Sequence, residues 1–437
     1  MTEKQSKKAG PPVLPELLAP AGSLEKLVTA GHYGADAVYL GGPDYGLRAR
    51  AGTFDEAGLR QAIAVARQTG VAVYVTVNII AHNRDFAGLP DYLRLLQEIG
   101  VDAAIVADPG IVALAAKVAP KLPLHLSTQA NVTNAAAAEF WQRQGVRRIN
   151  LARELSLAEI RSIRQRCSAE IEIFVHGALC ISYSGRCLLS HYLTGRDANR
   201  GHCAQPCRYR YALMEEQRPG QWYPIEEDER GAYIFNAKDL CLLARLPELV
   251  AAGVDSLKIE GRMKSLFYVG SVVRAYRAAL EFLRGLDPGD WRRPEEIVLP
   301  KELLDEIALT GTRDLTMNFI DEPPGGADML YESSRCVAQS EPVAVVRAVA
   351  SLPLVEIRNA LAVGERIEYM HRNGRNSPAT VSALFDERWQ PLQHANPGSR
   401  VYLSLTEPVA GIAVHSLLRR RLAAPGEPGN TSADFSI

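Results

Sequence analysis

Residues 15–26 read PELLAPAGSLEK: a short apolar run that turns through Ala19-Pro20-Ala21-Gly22 into a helical pattern opened by Ser23. A serine just ahead of an amphipathic stretch serves as a helix N-cap, because its hydroxyl accepts from an orphan backbone N–H. The turn itself says more. An open, doubly wound sheet that binds a dinucleotide carries G-x-G-x-x-G after its first strand, and this turn has a single glycine. Outward from it the rhythm repeats. Further apolar runs are ADAVYLGG (35–42), VAVYVTVNI (71–79), AAIVAD (103–108), LHLSTQA (124–130), RRINLA (147–152), IEIFVHG (171–177) and SLKIEGR (256–262). Between them lie helix-like segments such as FDEAGLRQAIAVARQTG and SLAEIRSIRQRC. Helical patterns stop at Gly70, Gly100, Gly145 and Gly253, and glycine tolerates the left-handed end conformation. Eight strands with intervening helices predict an α/β fold, a closed (β/α)8 TIM-like barrel.

One connection breaks the rhythm. Residues 178–255 separate the seventh and eighth runs, far more than the usual 2–6 residues of a βα loop plus a helix. A helix over KDLCLLARLPELVAAG (238–253) is expected to close this insertion. The chain then divides as a disordered N-terminus (1–13), a barrel (14–283) with an insertion at 178–240, and a linker with a short helix (284–340). A small antiparallel β-barrel (341–421) and a disordered tail (422–437) follow. The small barrel rests on alternating runs such as EPVAVVRAVA and SRVYLSLTEPV with NG and PG turn signals. It has ten arginines, no lysine and seven acids. Over all 437 residues the net charge is −1, so any nucleic-acid contact is a local patch rather than a property of the whole molecule. No apolar run approaches the ~18 residues of a membrane helix. The start, MTEKQSKKAGPP, has no signal-peptide core. A cytoplasmic location is therefore expected, where thiols stay reduced.

Active sites of such barrels gather at the C-terminal ends of the strands. Those ends carry Asn78, Gln129, Asn131, His176, Glu260 and Arg262, an amide- and charge-lined set. Arg48 and Arg50 follow the second strand and offer cationic forks for a carboxylate. Four of the seven cysteines fall in the insertion, as Cys180-x6-Cys187-x15-Cys203-x3-Cys207. The second pair has zinc-ligand spacing and the first does not. Iron–sulfur clusters take four thiolates with more varied spacing, so spacing leaves zinc and iron–sulfur both open. Five arginines and one aspartate between 186 and 210 favour thiolate. Tyr183, Tyr192, Tyr209 and Tyr211 add an aromatic component that suits RNA. Cys167 and Cys336 look incidental. Cys241 fits an apolar helix face, with a ligand role in reserve.

The run Glu172-I-F-V-His176-Gly177-A-L-Cys180-x4-Gly185-R-Cys187-L-L-Ser190 resembles the signature of the collagenase-like peptidases of unassigned mechanism, family U32. LLAPAGSLEKL, ADAVYLGG, STQANVTN and GVDSLKIEGRMKS resemble the same family, so the likeness spans about Pro15 to Arg420. YSGRCLLS, GHCAQPCRY and the 215–240 segment look most like its tRNA-hydroxylating branch. Related branches act on ribosomal RNA or ubiquinone precursors. The resemblance implies a 4Fe–4S cluster on Cys180, Cys187, Cys203 and Cys207. It also implies oxygen-independent, prephenate-dependent conversion of the wobble uridine of tRNA to 5-hydroxyuridine, with an unidentified electron donor. Lys258, Arg262, Arg48 and Arg50 are then candidates for the prephenate carboxylates, and Asn78, Gln129 and Asn131 for a uracil edge. Glu260 and His176 are candidates to move a proton. The family name raises peptidase activity as an alternative, yet no H-E-x-x-H, G-x-S-x-G or C-x-x-C motif is present.

Overall fold

The computed structural model describes residues 12–46, 53–180, 182, 184, 187, 189–196, 198, 202–206, 213–214, 222–223, 227–228, 231–232, 238–310, 314–322 and 339–422. The chain forms two compact units, one of Met1–Leu303 with Arg313–Arg335 and one of Leu304–Thr312 with Cys336–Ile437. No helix among the described residues is long and apolar enough to cross a membrane.

In the first unit the eight apolar runs are eight parallel strands. These are β1 (Glu16–Pro20), β2 (Ala37–Gly41), β3 (Ala72–Val77), β4 (Ala103–Val106), β5 (Leu124–Leu126), β6 (Arg148–Asn150), β7 (Glu170–Ala178) and, after the insertion, β9 (Ser256–Ile259). They pair side by side in chain order, and β9 closes the ring between β7 and β1. Helices α1 (Leu24–His32), α2 (Glu56–Thr69), α3 (Leu89–Ile99), α4 (Pro109–Val118), α5 (Ala135–Arg143) and α6 (Leu157–Arg166) fall between the strands, and α9 (Leu266–Arg284) follows β9. Local chemistry sets their ends. Ser23, Asp55, Asp108, Asn134, Ser156 and Ser265 each cap a helix with a side-chain acceptor. Gly70, Gly100, Gly145 and Gly253 all have positive φ, as the sequence pattern requires.

The insertion closes differently from expectation. Asp239–Cys241 is a strand, β8, antiparallel to the end of β7, with Asp239, Leu240 and Cys241 opposite Ala178, Gly177 and His176. Only then come a 3-10 turn (Leu243–Arg245) and a short helix, α8 (Leu246–Ala251), with a proline in its first turn. The reason lies in β7, whose nine residues run past the strands beside it. The overhanging backbone groups need partners, and β8 supplies them. In turn β8 pairs with β10 (Leu315–Thr316). The stretch expected as a linker is therefore shared: Leu315–Thr316 belongs with the first unit and Leu304–Thr312 with the second.

The interior of the large barrel has two halves. Leu18, Ala37, Tyr39, Tyr74, Ala103 and Ile105 form an apolar cluster from β1 to β4. From β5 to β9 the buried residues include His125, Arg148, Asn150, Glu172, Ser256 and Lys258. Arg148 bonds Glu16 at 2.6 Å and Glu170 at 2.7 Å, and lies 3.5 Å from Glu172. Tyr74 and Ser256 donate to the Glu16 carboxylate at 2.7 and 3.1 Å.

In the second unit six antiparallel strands close into a small barrel: Ser340–Val349, Pro353–Ile357, Arg366–Met370, Asn376–Phe385, Arg400–Leu405 and Leu417–Arg421. Its core holds Val343, Val346, Val355, Ile357, Leu384 and Leu403, all essentially inaccessible. The fully buried Arg419 is held by Glu306 at 2.5 Å and Glu368 at 2.8 Å.

Candidate functional site

The C-terminal rim of the large barrel gathers most of the expected residues. Glu260 follows β9 directly, and its Oε2 accepts from the Tyr39 hydroxyl at 3.1 Å. Tyr268 of α9 donates to the Glu260 carbonyl at 3.1 Å. Arg262 is 3% exposed, and its Nη1 reaches Thr76 Oγ1 at 3.5 Å. A Cβ at Gly41 would stand 2.7 Å from both terminal nitrogens of Arg262, so the guanidinium lies flat against that glycine. Just past Thr76, at the end of β3, Asn78 donates to Ser127 Oγ at 3.2 Å. Ser127 caps the 3-10 turn Thr128–Ala130, which carries Gln129 and ends at Asn131 with φ 52°. Arg48 and Arg50 lie outside the described residues.

Two expected roles change. Lys258 is buried in an ion pair with Glu172 at 2.8 Å, its ammonium 4.7 Å from the Tyr39 ring centroid and 5.4 Å from that of Phe174. A carboxylate of the chain therefore fills the place expected for a substrate carboxylate. His176 is fully buried, with its ring against Tyr268 and Tyr276 of α9 and Nδ1 3.4 Å from the Tyr276 hydroxyl. Burial, and then the charge of Lys264, push its pKa down to about 3. Its setting is that of a packed, neutral imidazole, which corrects the expectation of a proton carrier. Next to it Gly177 has φ +107°, and a Cβ there would meet the Glu260 carbonyl at 2.4 Å. Only glycine allows β7 and β9 to approach so closely after the register shift at Lys258/Ile259.

The cysteine loop folds back onto the rim. Ser184, between Cys180 and Cys187, donates from its N–H and its hydroxyl to the two oxygens of Glu154, at 2.6 and 2.7 Å. Thr128 Oγ1, after β5, lies 3.5 Å from Ser184 Oγ. Arg153 donates to the Ala178 carbonyl at 3.2 Å and stacks over Phe174 at 4.9 Å. After Cys187 comes the short helix α7 (Leu189–Thr194). Its buried Ser190 bonds the Arg196 carbonyl at 2.7 Å and the Ala204 N–H at 2.9 Å, which ties Cys203 back to α7. The Cys203 sulfur accepts from Gln205 N–H at 3.3 Å.

Cys180 is exposed as a residue, but the protein around its thiol desolvates it and raises its pKa. The neighbouring Cys187 and Cys203 raise it further, while Arg153 opposes them. The Cys180 thiol thus lies in the field of both other thiols and of a cation. Among the described residues no three His, Cys, Asp or Glu side chains are drawn close enough to hold a single metal ion, and Cys207 lies outside those residues. The donor chemistry suits a thiolate-bound centre: soft ligands, an amide N–H on one sulfur and a guanidinium nearby. Cys241 is different. It is buried on β8 with its sulfur 4.0 Å from the Tyr276 hydroxyl, and burial raises its pKa. That is packing against α9, on a strand and not on the expected helix face.

Sequence reasoning missed Thr128 and Ser184; Arg153 and Glu154 are legible as a strand end, where sites of this fold form, but had no role assigned in the pocket. Of the insertion tyrosines Tyr183, Tyr192, Tyr209 and Tyr211, Tyr192 is described and is highly exposed, and the other three lie outside the described residues.

A sequence profile described as peptidase family U32 matches residues 22–329, and one described as the family's C-terminal domain matches 339–419. The tRNA hydroxylation protein P1 of Bacillus subtilis is 39% identical over 384 residues, 87% of this chain and 89% of that protein. The tRNA hydroxylation protein P of Escherichia coli is 36% identical, covering 82% and 87% respectively. A 23S rRNA 5-hydroxycytidine synthase of Escherichia coli is 40% identical over 61% of this chain and 39% of its own length. With its barrel and its C-terminal domain both matched, the chain belongs to peptidase family U32.

Proposed function

We propose that the chain is an RNA-modifying enzyme that hydroxylates the wobble uridine of tRNA to 5-hydroxyuridine, without molecular oxygen and with prephenate as co-substrate. The observation that carries the proposal is 39% identity over 89% of a relative named for tRNA hydroxylation. The match to an rRNA 5-hydroxycytidine synthase supports the wider class, hydroxylation of an RNA pyrimidine. Replacing a ring C–H by C–OH removes two electrons from the base, so an oxygen donor and an electron acceptor are needed. Side chains handle such redox steps poorly and cofactors handle them well.

Cys180, Cys187, Cys203 and Cys207 would hold a 4Fe–4S cluster, with zinc as the alternative. When bound, the cluster supplies electron transfer. The chain's own residues do the rest. Asn78, Gln129 and Asn131 present amides to a uracil edge, and a wobble base can leave its single-stranded loop to reach them. Arg262, with Arg48 and Arg50, offers forks to the prephenate carboxylates. Glu260, bonded to Tyr39, holds or releases a proton at its carboxylate. Ser184 and Glu154 keep the cysteine loop on the rim. Because the two electrons leave the base, the redox partner expected as an electron donor has to act as their acceptor.

The test is anaerobic purification with iron, sulfide and zinc analysis, combined with mass spectrometry of tRNA nucleosides from cells. Wild-type protein is expected to be brown, with iron and sulfide in equal amounts. Cys180→Ala is expected to abolish 5-hydroxyuridine and its derivatives. A colourless protein with one zinc would reject the cluster, and unchanged tRNA in the Cys180→Ala strain would reject the catalytic role.

A further inference from the structure

The chain that carries Cys180 and Cys187 leaves β7 at Ala178, and the residues just after β6 meet it on both sides of Cys180. Before that cysteine, Arg153 Nη1 donates to the Ala178 carbonyl at 3.2 Å, with its guanidinium 4.9 Å over the Phe174 ring of β7. After it, Glu154 takes both donors of Ser184, the backbone N–H at 2.6 Å and the hydroxyl at 2.7 Å. Arg153 and Glu154 are consecutive, so one strand end grips the loop twice. The grip is anchored in turn, because Asn318 donates to the Arg153 carbonyl at 3.3 Å.

Ser184 makes two demands on its surroundings. It is 1% exposed, so its N–H and hydroxyl must be met within the protein. Its φ is +43°, in the left-handed region that residues other than glycine rarely adopt. Glu154 answers both. An ionised carboxylate has acceptors only and can take two donors from one residue, whereas an amide side chain would turn a donor toward one of them. From the far side Thr128 Oγ1, which donates to the Leu151 carbonyl at 3.0 Å, stands 3.5 Å from Ser184 Oγ. A carboxylate close to a loop of thiolates works against their negative charge. Its geometry, not its charge, therefore accounts for an acid at this position.

We propose that Glu154 is a positioning residue for the thiolate centre. It contributes no thiolate, yet by fixing Ser184 in its left-handed conformation it sets where Cys180 and Cys187 stand, and so how long the centre is retained. Arg153 fixes the other end of the same segment. The inference rests on the reading of these cysteines as ligands. It goes beyond that reading in making retention of the centre depend on a carboxylate of β6. Partners that orient ligands without being ligands themselves typically govern metal affinity by factors of about 10 to 100.

The experiment has two arms, both on the full chain, with the urea midpoint of each variant measured alongside. In the first, anaerobically reconstituted protein is challenged with a ferrous chelator, and iron loss is followed with the visible and EPR spectra. Glu154→Ala is expected to lose iron roughly tenfold faster than wild type. Glu154→Gln keeps an acceptor for the Ser184 N–H and is expected to stay within about threefold. In the second, amide hydrogen exchange is measured without metal. Peptides spanning Cys180 and Ser184 are expected to exchange about tenfold faster in Glu154→Ala, with those of β1 to β4 unchanged. Should Glu154→Ala fail to fold, Ser184→Ala, which removes the hydroxyl alone, carries the same two measurements, with about threefold effects expected. Iron loss at the wild-type rate with the wild-type EPR spectrum overturns the proposal. Faster iron loss without faster exchange also overturns it, because Glu154 would then act through its charge and not by holding the loop. If wild type takes up no iron and sulfide, the cluster reading falls; the metal-free exchange arm still decides whether Glu154 holds the loop, and equal exchange in variant and wild type overturns that as well.

Discussion

The two barrels of this chain fill their interiors in opposite ways. The small barrel is packed with Val343, Val346, Val355, Ile357, Leu384 and Leu403, and keeps Arg347, Arg358 and Arg400 outside this core, around Glu356. The large barrel buries charge: Glu16, Glu172, Arg148 and Lys258 share its interior with Tyr74 and His125. Burying ions is costly, and a buried ionic network is seldom a good source of stability. The large barrel nevertheless carries one directly beneath a rim of amides, a carboxylate and a guanidinium. The contrast separates a unit whose interior only holds it together from one whose interior also sets the electrostatics of a site.

The comparison can be broken, starting with the largest effect. Arg148→Met leaves Glu16 and Glu172 without their shared cation, and the expected loss of stability in urea is about 4 kcal/mol. A loss below about 1 kcal/mol would mean that the ions of the large barrel are not coupled as described. Leu384→Ala opens a cavity in the aliphatic core of the small barrel, with an expected cost of about 3 kcal/mol. tRNA modification per folded molecule should be unchanged in this variant, and a selective loss of activity would contradict the division of labour. Lys258→Met is expected to cost about 2 kcal/mol, because Glu172 keeps Arg148 at 3.5 Å. Modification should fall more steeply than stability in that variant, measured as tRNA nucleosides against urea midpoint.

The smallest effect is a pH dependence. His176 has its pKa pushed down to about 3 by burial and Lys264, and His125 is lowered by burial and by Arg148, Lys258 and Arg147. Between about pH 6.5 and 3 the unfolded chain takes up a proton that the folded His176 refuses, and His125 acts in the same direction, so stability falls as the pH drops through that window. Urea midpoints at pH 7, 6 and 5 should decline, and His176→Asn should flatten the slope by up to about 1.4 kcal/mol per pH unit. An unchanged slope would show that the fold does not shift the His176 pKa.

Much of the large barrel was legible because its signals are local. An apolar run ending in Asn78 or Glu260, a capping Ser23 or Asp108, and a stop at Gly70 or Gly100 depend on neighbours a few residues away. The cysteine spacing was legible for the same reason. What escaped depended on partners far along the chain. Asp239–Cys241 has too little pattern to be called a strand; it becomes one because β7 overhangs the ring and needs partners. Lys258 seemed free for a substrate until Glu172, 86 residues away, was found beside it. His176 seemed to face the mouth, but its ring packs against α9.

The order of residues therefore settled the parallel ring and the antiparallel barrel that follows it in the chain, since periodicity, caps and turn signals act over a few residues. Folding settled which charges neutralise one another, where the loop is tied down and which histidine is sealed away. Those outcomes depend on Coulomb energy and desolvation, which vary with distance and burial in space and leave no trace in the spacing along the chain.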